Sequence, residues 1–268
     1  MQIAPDKLHD LHCHLDFMSN ATEICVDAHR SGSHIFANTV TPAGYDKATQ
    51  WAGRFSNVHL GLGLHPWYLG HEASIDEQLQ AFDSFLDNTE FVGEVGLDFS
   101  IKKIGTADDQ IRAFRHIAAA CGSKGGKLLS VHAIQSADTV LDILMESGAA
   151  ESCDCIMHWF SGSSEQLHRA IDMGCYFSVG PFMVASRRGR EYAKQIPLNR
   201  LVLETDYPPT SENLTYDPDT NEPRVPFSFE QIADGLNEAA VTIIERKGKQ
   251  GAEAAKIMSE NALRLLNR

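Results

Sequence analysis

Residues 91–98, Phe91-Val92-Gly93-Glu94-Val95-Gly96-Leu97-Asp98, are apolar or small on both strand faces except at two carboxylates. A strand with one wet face alternates apolar and polar residues, so a run like this one predicts a parallel strand covered by helices. A carboxylate inside such a strand is costly unless it is paired or bound to metal. Glu94 and Asp98 share strand parity, which places Asp98 to support Glu94.

Similar short apolar or β-branched runs recur along the chain at Leu8–Leu15, His34–Val40, Val58–His65, Leu128–Ala133, Cys155–Phe160, Cys175–Gly180 and Leu201–Asp206. Amphipathic stretches separate them: Ile111, Phe114, Ile117, Ala118 and Cys121 mark one helix face, and Val140, Leu141 and Leu144 another. Ser74-x-x-Glu77, Thr106-x-x-Asp109, Ser163-x-x-Gln166 and Ser228-x-x-Gln231 read as capping boxes where helices should begin. Strict strand–helix alternation predicts a closed (β/α)8 TIM-type barrel, and no Gly-x-Gly-x-x-Gly follows the first strand to favour a dinucleotide fold. At 268 residues the chain has the length of one such barrel, so residues 1–268 are expected to form a single domain. A loop over Pro208–Pro226 and two closing helices complete the expected order.

Composition narrows the function. Lys+Arg of 23 against Asp+Glu of 36 leaves a net charge of −13, the wrong sign for tight non-specific duplex binding. A small phosphate substrate, or a strand end entering a local positive site, is still compatible with that charge. The first fifteen residues lack an apolar run and no later stretch approaches a membrane span, so a cytoplasmic protein is expected. The six cysteines lack a C-x-x-C pair and read as reduced thiols. The twelve histidines exceed what this length usually carries and are the first hint of metal.

In barrels of this kind the chemistry sits at the C-terminal ends of the strands. His12 and His14, two apart on the first strand, point to one face, while Cys13 points away. His132 and His158 fall on consecutive apolar strands, and Asp206 ends the eighth. With Glu94 they make four imidazoles and two carboxylates. Mixed nitrogen and oxygen donors suit Zn²⁺, Mn²⁺ or Fe²⁺, with Mg²⁺ where water and substrate oxygens fill more positions. Six protein ligands exceed the three of a mononuclear catalytic zinc site, whereas two divalent cations about 3.5–4 Å apart, bridged by Glu94, use all six.

The segments Asp10-Leu11-His12-Cys13-His14-Leu15-Asp16, Gly63-Leu64-His65-Pro66, Gly93–Asp98, His158-Trp159-Phe160-Ser161-Gly162 and Glu204-Thr205-Asp206-Tyr207-Pro208 resemble, in order and spacing, the TatD family of metal-dependent deoxyribonucleases. Asn261–Leu266 is similar to that family's closing helix. The resemblance implies an amidohydrolase-like barrel that hydrolyses phosphodiester bonds of DNA, as a 3′–5′ exonuclease. It implies His12, His14 and Asp206 on one metal, His132 and His158 on a second, Glu94 shared, and His65 against a substrate phosphate. The chain departs from the family at Trp67, where a second histidine is common, and at Ile134, where an arginine is common. His158-Trp-Phe-Ser-Gly and Phe177-Ser-Val-Gly-Pro181 look like a subgroup associated with the Qat anti-phage defence operon, which implies defence-system protein partners.

The expected reaction uses a two-metal-activated water, with Asp206 as the base that takes its proton and Glu94 as the bridging carboxylate. Arg187, Arg188, Arg190 and Lys194 follow the seventh strand and could hold the flanking phosphates, or form a solvated helix face. Trp67 and Trp159 could stack a base or simply pack at the barrel rim. Three rival functions are compatible with the residues: an amidase, lactonase or phosphotriesterase of the same superfamily, a D-aminoacyl-tRNA deacylase, or a metal-bearing component of a defence assembly. The absence of a strand-end lysine suited to carbamylation counts against the first. A monomer or small homo-oligomer is expected.

Overall fold

Eight parallel strands lie side by side in chain order: β1 (Asp10–Cys13), β2 (Ile35–Asn38), β3 (Val58–Leu64), β4 (Phe91–Asp98), β5 (Leu128–Ile134), β6 (Asp154–His158), β7 (Tyr176–Val179) and β8 (Leu201–Leu203). This is a computed structural model, and it describes residues 8–71, 73–209, 225–248 and 251–268. Between the strands run α1 (Ala21–Ser31), α2 (Pro42–Ala52), α3 (Ile75–Leu86), α4 (Ala107–Lys124), α5 (Ala137–Glu146), α6 (Ala149–Ser152), α7 (Ser164–Asp172), α8 (Pro181–Ala185) and α9 (Arg187–Gln195). Two further helices, α10 (Phe229–Lys247) and α11 (Gly251–Leu266), follow β8. Most of the expected Pro208–Pro226 loop lies outside the described residues. No helix among the described residues is long and apolar enough to cross a membrane.

The first and last strands meet just beyond their ends. The amides of Thr205 and Asp206 donate to the carbonyl of His12 (3.3 and 2.8 Å), and the His14 amide donates to the carbonyl of Tyr207 (2.8 Å). The buried Asp10 carboxylate reinforces this seam by accepting from the His12 amide (3.1 Å), the Thr205 amide (3.0 Å) and the Thr205 hydroxyl (2.5 Å). The sheet thus closes into a nearly complete barrel.

The apolar residues divide by face. Ile35, Leu62, Val92, Val95, Leu129 and Val131 pack outward with helix residues such as Ile24, Phe82, Phe114 and Leu141. Leu11, Phe36, Leu128, Ile156, Tyr176 and Val202 form a second cluster with Ala262, Leu265 and Leu266, so α11 plugs the N-terminal end. Glu94, Asp98, His132 and His158 lie toward the C-terminal end, whereas Asp10, His59 and Asp154 stand at the starts of their strands.

Two bulges aim the site. Between Asp10 and Cys13, and between Val92 and Val95, one strand spends an extra residue against its neighbour. Such an insertion breaks strict alternation and re-aims side chains. Leu11 therefore joins the inner plug while His12, the next residue, also enters the barrel.

Ser74, Ser163 and Ser228 form the expected reciprocal capping boxes. Thr106 does not. A 3-10 turn over Ile104–Thr106 runs straight into α4, so Thr106 is already helical. Its hydroxyl donates to Lys103 O and accepts from Gln110 instead.

Candidate metal centre

The strand-end residues converge. Nε2 of His12 and Nε2 of His14 lie 3.3 Å apart, each is 3.4 Å from Oε2 of Glu94, and they are 3.7 and 3.5 Å from Oδ1 of Asp206. A tetrahedral cation with bonds of about 2.0–2.2 Å spaces its ligand atoms about 3.3–3.6 Å apart. The five distances quoted run from 3.3 to 3.7 Å, close to that spacing. Oε1, the other Glu94 oxygen, faces a different set: Nδ1 of His132 (2.7 Å), Nε2 of His65 (3.4 Å) and Nε2 of His158 (3.7 Å). Asp206 also spans both sides, its Oδ2 lying 3.9 Å from Nε2 of His158.

Hydrogen bonds at the far nitrogen decide which imidazoles can offer a lone pair. Nδ1 of His14 donates to Asn38 O (3.1 Å), and Nδ1 of His158 donates to Glu204 Oε2 (2.8 Å). Nδ1 of His12 pairs with the Ser130 hydroxyl (2.7 Å). The carbonyl and the carboxylate can only accept, which leaves Nε2 of His14 and His158 as the ligand atom, and the Ser130 hydroxyl permits the same state of His12. His65 is the reverse case: its Nδ1 accepts from the Trp67 amide (3.1 Å), which puts the proton on Nε2 and makes that atom a donor. In His132, Nε2 is buried without a hydrogen-bond partner, 3.5 Å from Asp98 Oδ2. Buried polar atoms are rarely left unpaired, and a cation is one partner that would satisfy this one. The donor set therefore fits a metal cluster.

The charges are mutually supporting. Burial, and then His158 stacked at 3.7 Å, hold His12 down to about 3. Burial opposes protonation of His158 too, but Glu204 and Asp206 outweigh it and push that imidazole up to about 10. Burial is likewise outweighed at His14, which Asp206 and Glu94 hold well above the usual range. Despite burial, the surrounding imidazoles keep Glu94 well below the usual carboxylate range. Without a cation the site thus favours protons on His14, His132 and His158 and disfavours them on His12 and His65.

The groups open into a cleft of ≈ 440 Å³ lined by His14, Glu94, His132, His158 and Asp206 with Trp67, Ile134 and Trp159 on its walls. A larger hollow of ≈ 630 Å³, lined by Tyr45, Val58, Glu90 and Lys127 at the other end of the strands, holds none of these donors. Chemistry, not size, marks the site. Three non-glycine residues with left-handed backbone, Gln135 (φ 54°), Trp159 (φ 37°) and Asp206 (φ 55°), sit at the strand ends around it. Such conformations persist where the surroundings over-determine them.

Asp98 lies where parity placed it. Its Oδ2 accepts from the Trp67 indole (2.6 Å) and its Oδ1 from the Ser100 amide (2.8 Å). Arg187 and Arg188 do not line the cleft. Arg187 is exposed in the first turn of α9, and Arg188 donates to Ser161 O (2.5 Å), a residue that does line it. Arg190 is committed to the carbonyls of Val184 and Ala185. Glu204, Ser130 and Asp10 received no role from the sequence. Glu204 shares parity with Asp206, and that was the available signal.

A family model described as TatD related DNase matches residues 9–267. Human deoxyribonuclease TATDN3 is 26% identical over 99% of this chain and 96% of its own length. The uncharacterized metal-dependent hydrolase YabD of Bacillus subtilis is 29% identical over 96% of this chain and 98% of its own length. The crystal structure of YJJV, a TatD homologue from Escherichia coli K12, superposes with a TM-score of 0.79 at 22% identity, covering 98% of this chain and 99% of that one, a likeness of fold.

Proposed function

The chain belongs to the TatD related DNase family and is a hydrolase, and on that premise we propose that it cleaves phosphodiester bonds of DNA at a two-cation centre, as a 3′–5′ exonuclease. His12, His14 and Asp206 would hold the first cation and His132 and His158 the second, with Glu94 shared. The observation that carries this reading is the division of the Glu94 carboxylate, one oxygen toward His12 and His14 and the other toward His132 and His158. Bound there, Zn²⁺, Mn²⁺ or Mg²⁺ supplies Lewis acidity, acidifying water and neutralising phosphoryl charge.

The chain's own residues do the rest. Asp206, kept ionised by the imidazoles that outweigh its burial, takes the proton of the attacking water at a carboxylate oxygen. His65 presents Nε2–H to a non-bridging phosphoryl oxygen, the donor state its bond from Trp67 N imposes. Glu204 and Ser130 keep His158 and His12 from turning. Arg188, tied to Ser161 at the rim, and the exposed Arg187 next to it in the chain would meet phosphates flanking the cleft. A defence role with protein partners rests on the sequence resemblance alone.

The test offers metal-reloaded protein end-labelled single-stranded DNA, RNA, aminoacyl-tRNA and a lactone. Release of mononucleotides from the 3′ end of DNA is expected. Turnover of the lactone or the aminoacyl ester alone would overturn the assignment.

A further inference from the structure

Among the described residues four large apolar side chains are exposed, and three of them cluster in the loops after β3 and β4: Trp67 (36%), Ile101 (89%) and Ile104 (46%). Lys102 and Lys103 lie between the two isoleucines, an unusual concentration of positive charge for a chain of −13. Trp67 and Ile134 both wall the metal cleft. This side of the cleft therefore offers a strand apolar surface.

The indole is held still. Its N–H donates to Asp98 Oδ2 (2.6 Å), and it stands edge-on to His65 (5.2 Å between centroids, 89°). Lys103 Nζ lies 5.1 Å from its centroid, over the ring. Lys103 thus covers the electron-rich face, and a base that stacks there must displace it. A fixed ring loses little freedom when something stacks on it.

We infer that Trp67 is the platform for the nucleobase beside the scissile phosphate of a single strand. Lys103 leaves the ring for that nucleotide's phosphate as the base arrives, and Ile101 and Ile104 flank the incoming strand. This rests on the nuclease reading above. A paired base presents no free face, so the platform selects single strands or frayed ends.

A kinetic cycle tests it, using metal-loaded wild type, Trp67→Ala and Trp67→Phe on short single-stranded DNA, intact or with one abasic residue placed in turn at each terminal position. One abasic position should raise the wild-type KM about tenfold. Trp67→Ala should raise the KM of the intact strand equally with kcat nearly constant, and should then be indifferent to the abasic residue. Trp67→Phe, which keeps a ring but loses the bond to Asp98, should restore most of the affinity. Lys103→Ala should lower the salt slope of KM by about one. The platform is overturned if the abasic and Trp67→Ala effects multiply, if kcat falls while KM holds, or if blunt duplex is cleaved as well as single strand. Wild type that hydrolyses no nucleic acid would overturn the nuclease reading as well; failure confined to the variants removes the platform alone.

Discussion

What separates His65 from His14 and His158, whose Nε2 atoms lie 3.4, 3.4 and 3.7 Å from a Glu94 oxygen, is the partner of Nδ1. A carbonyl or carboxylate there leaves Nε2 as a lone pair, and an amide N–H there makes Nε2 a donor. Glu204→Gln replaces the acceptor of His158 with an amide that can present the wrong group, so cation affinity should fall about 10–100-fold with the fold intact. Metal titration checks this, and unchanged affinity would remove Glu204 from the site. Protonation gives a second outcome. His14 and His158 are raised in the metal-free chain, so they hold protons at neutral pH that a cation must displace; His12, at about 3, contributes none. Loading at pH 7 should therefore release protons into a weak buffer, and affinity should rise with pH. Pairing partners of this kind were not legible in the sequence, because they come from strands remote in the chain. The strand-end positions of the six candidate ligands were, since each is a polar residue in or at the end of an apolar run.

Elements carry the aim of those side chains, and here the strand ends matter more than the strands. The runs read as Leu8–Leu15 and Leu201–Asp206 shrink to Asp10–Cys13 and Leu201–Leu203, because His14 and Asp206 have left the ladder to face the cleft. Hydrophobic periodicity cannot see that departure, nor the bulge that turns His12 and Leu11 inward together. The Thr106 motif failed for a related reason: a preceding 3-10 turn is invisible to a four-residue pattern. The seam between β1 and β8 is testable through Asp10. Asp10→Ala leaves the His12 amide and the Thr205 hydroxyl without an acceptor and the Thr205 amide with only its 3.3 Å bond to His12 O, and should cost about 2 kcal/mol or more, whereas Asp10→Asn, which keeps Oδ1, should cost about 1 kcal/mol. Denaturant unfolding distinguishes them. Gly96 is the other sensitive point. At φ 141° its added Cβ would sit 2.1 Å from the carbonyl oxygen of His132, so Gly96→Ala should destabilise by about 2 kcal/mol or more and weaken metal binding with it.

The whole molecule joins a locally basic rim to a body of net charge −13. A polyanionic strand is repelled by most of that surface, so only the phosphates nearest the cleft can contribute favourably. The logarithm of KM for single-stranded DNA should accordingly rise with the logarithm of salt at a slope of about 1–2, far below the slope of a protein that tracks six or more phosphates. Barrel architecture was readable from strand–helix alternation, and the gathering of the six candidate ligands from their places at strand ends. The cleft wall was not, because whether Trp67 packs inward or lines a mouth depends on the path of the loop between β3 and α3. The central claim is that one carboxylate, Glu94, joins two cation positions. It is tested most directly by titrating metal-stripped protein with Mn²⁺ while following electron paramagnetic resonance and the cleavage of end-labelled single-stranded DNA. Two equivalents should bind, with a spin-coupled signal and cleavage both growing in as the second enters. Full cleavage at one uncoupled equivalent would contradict the account.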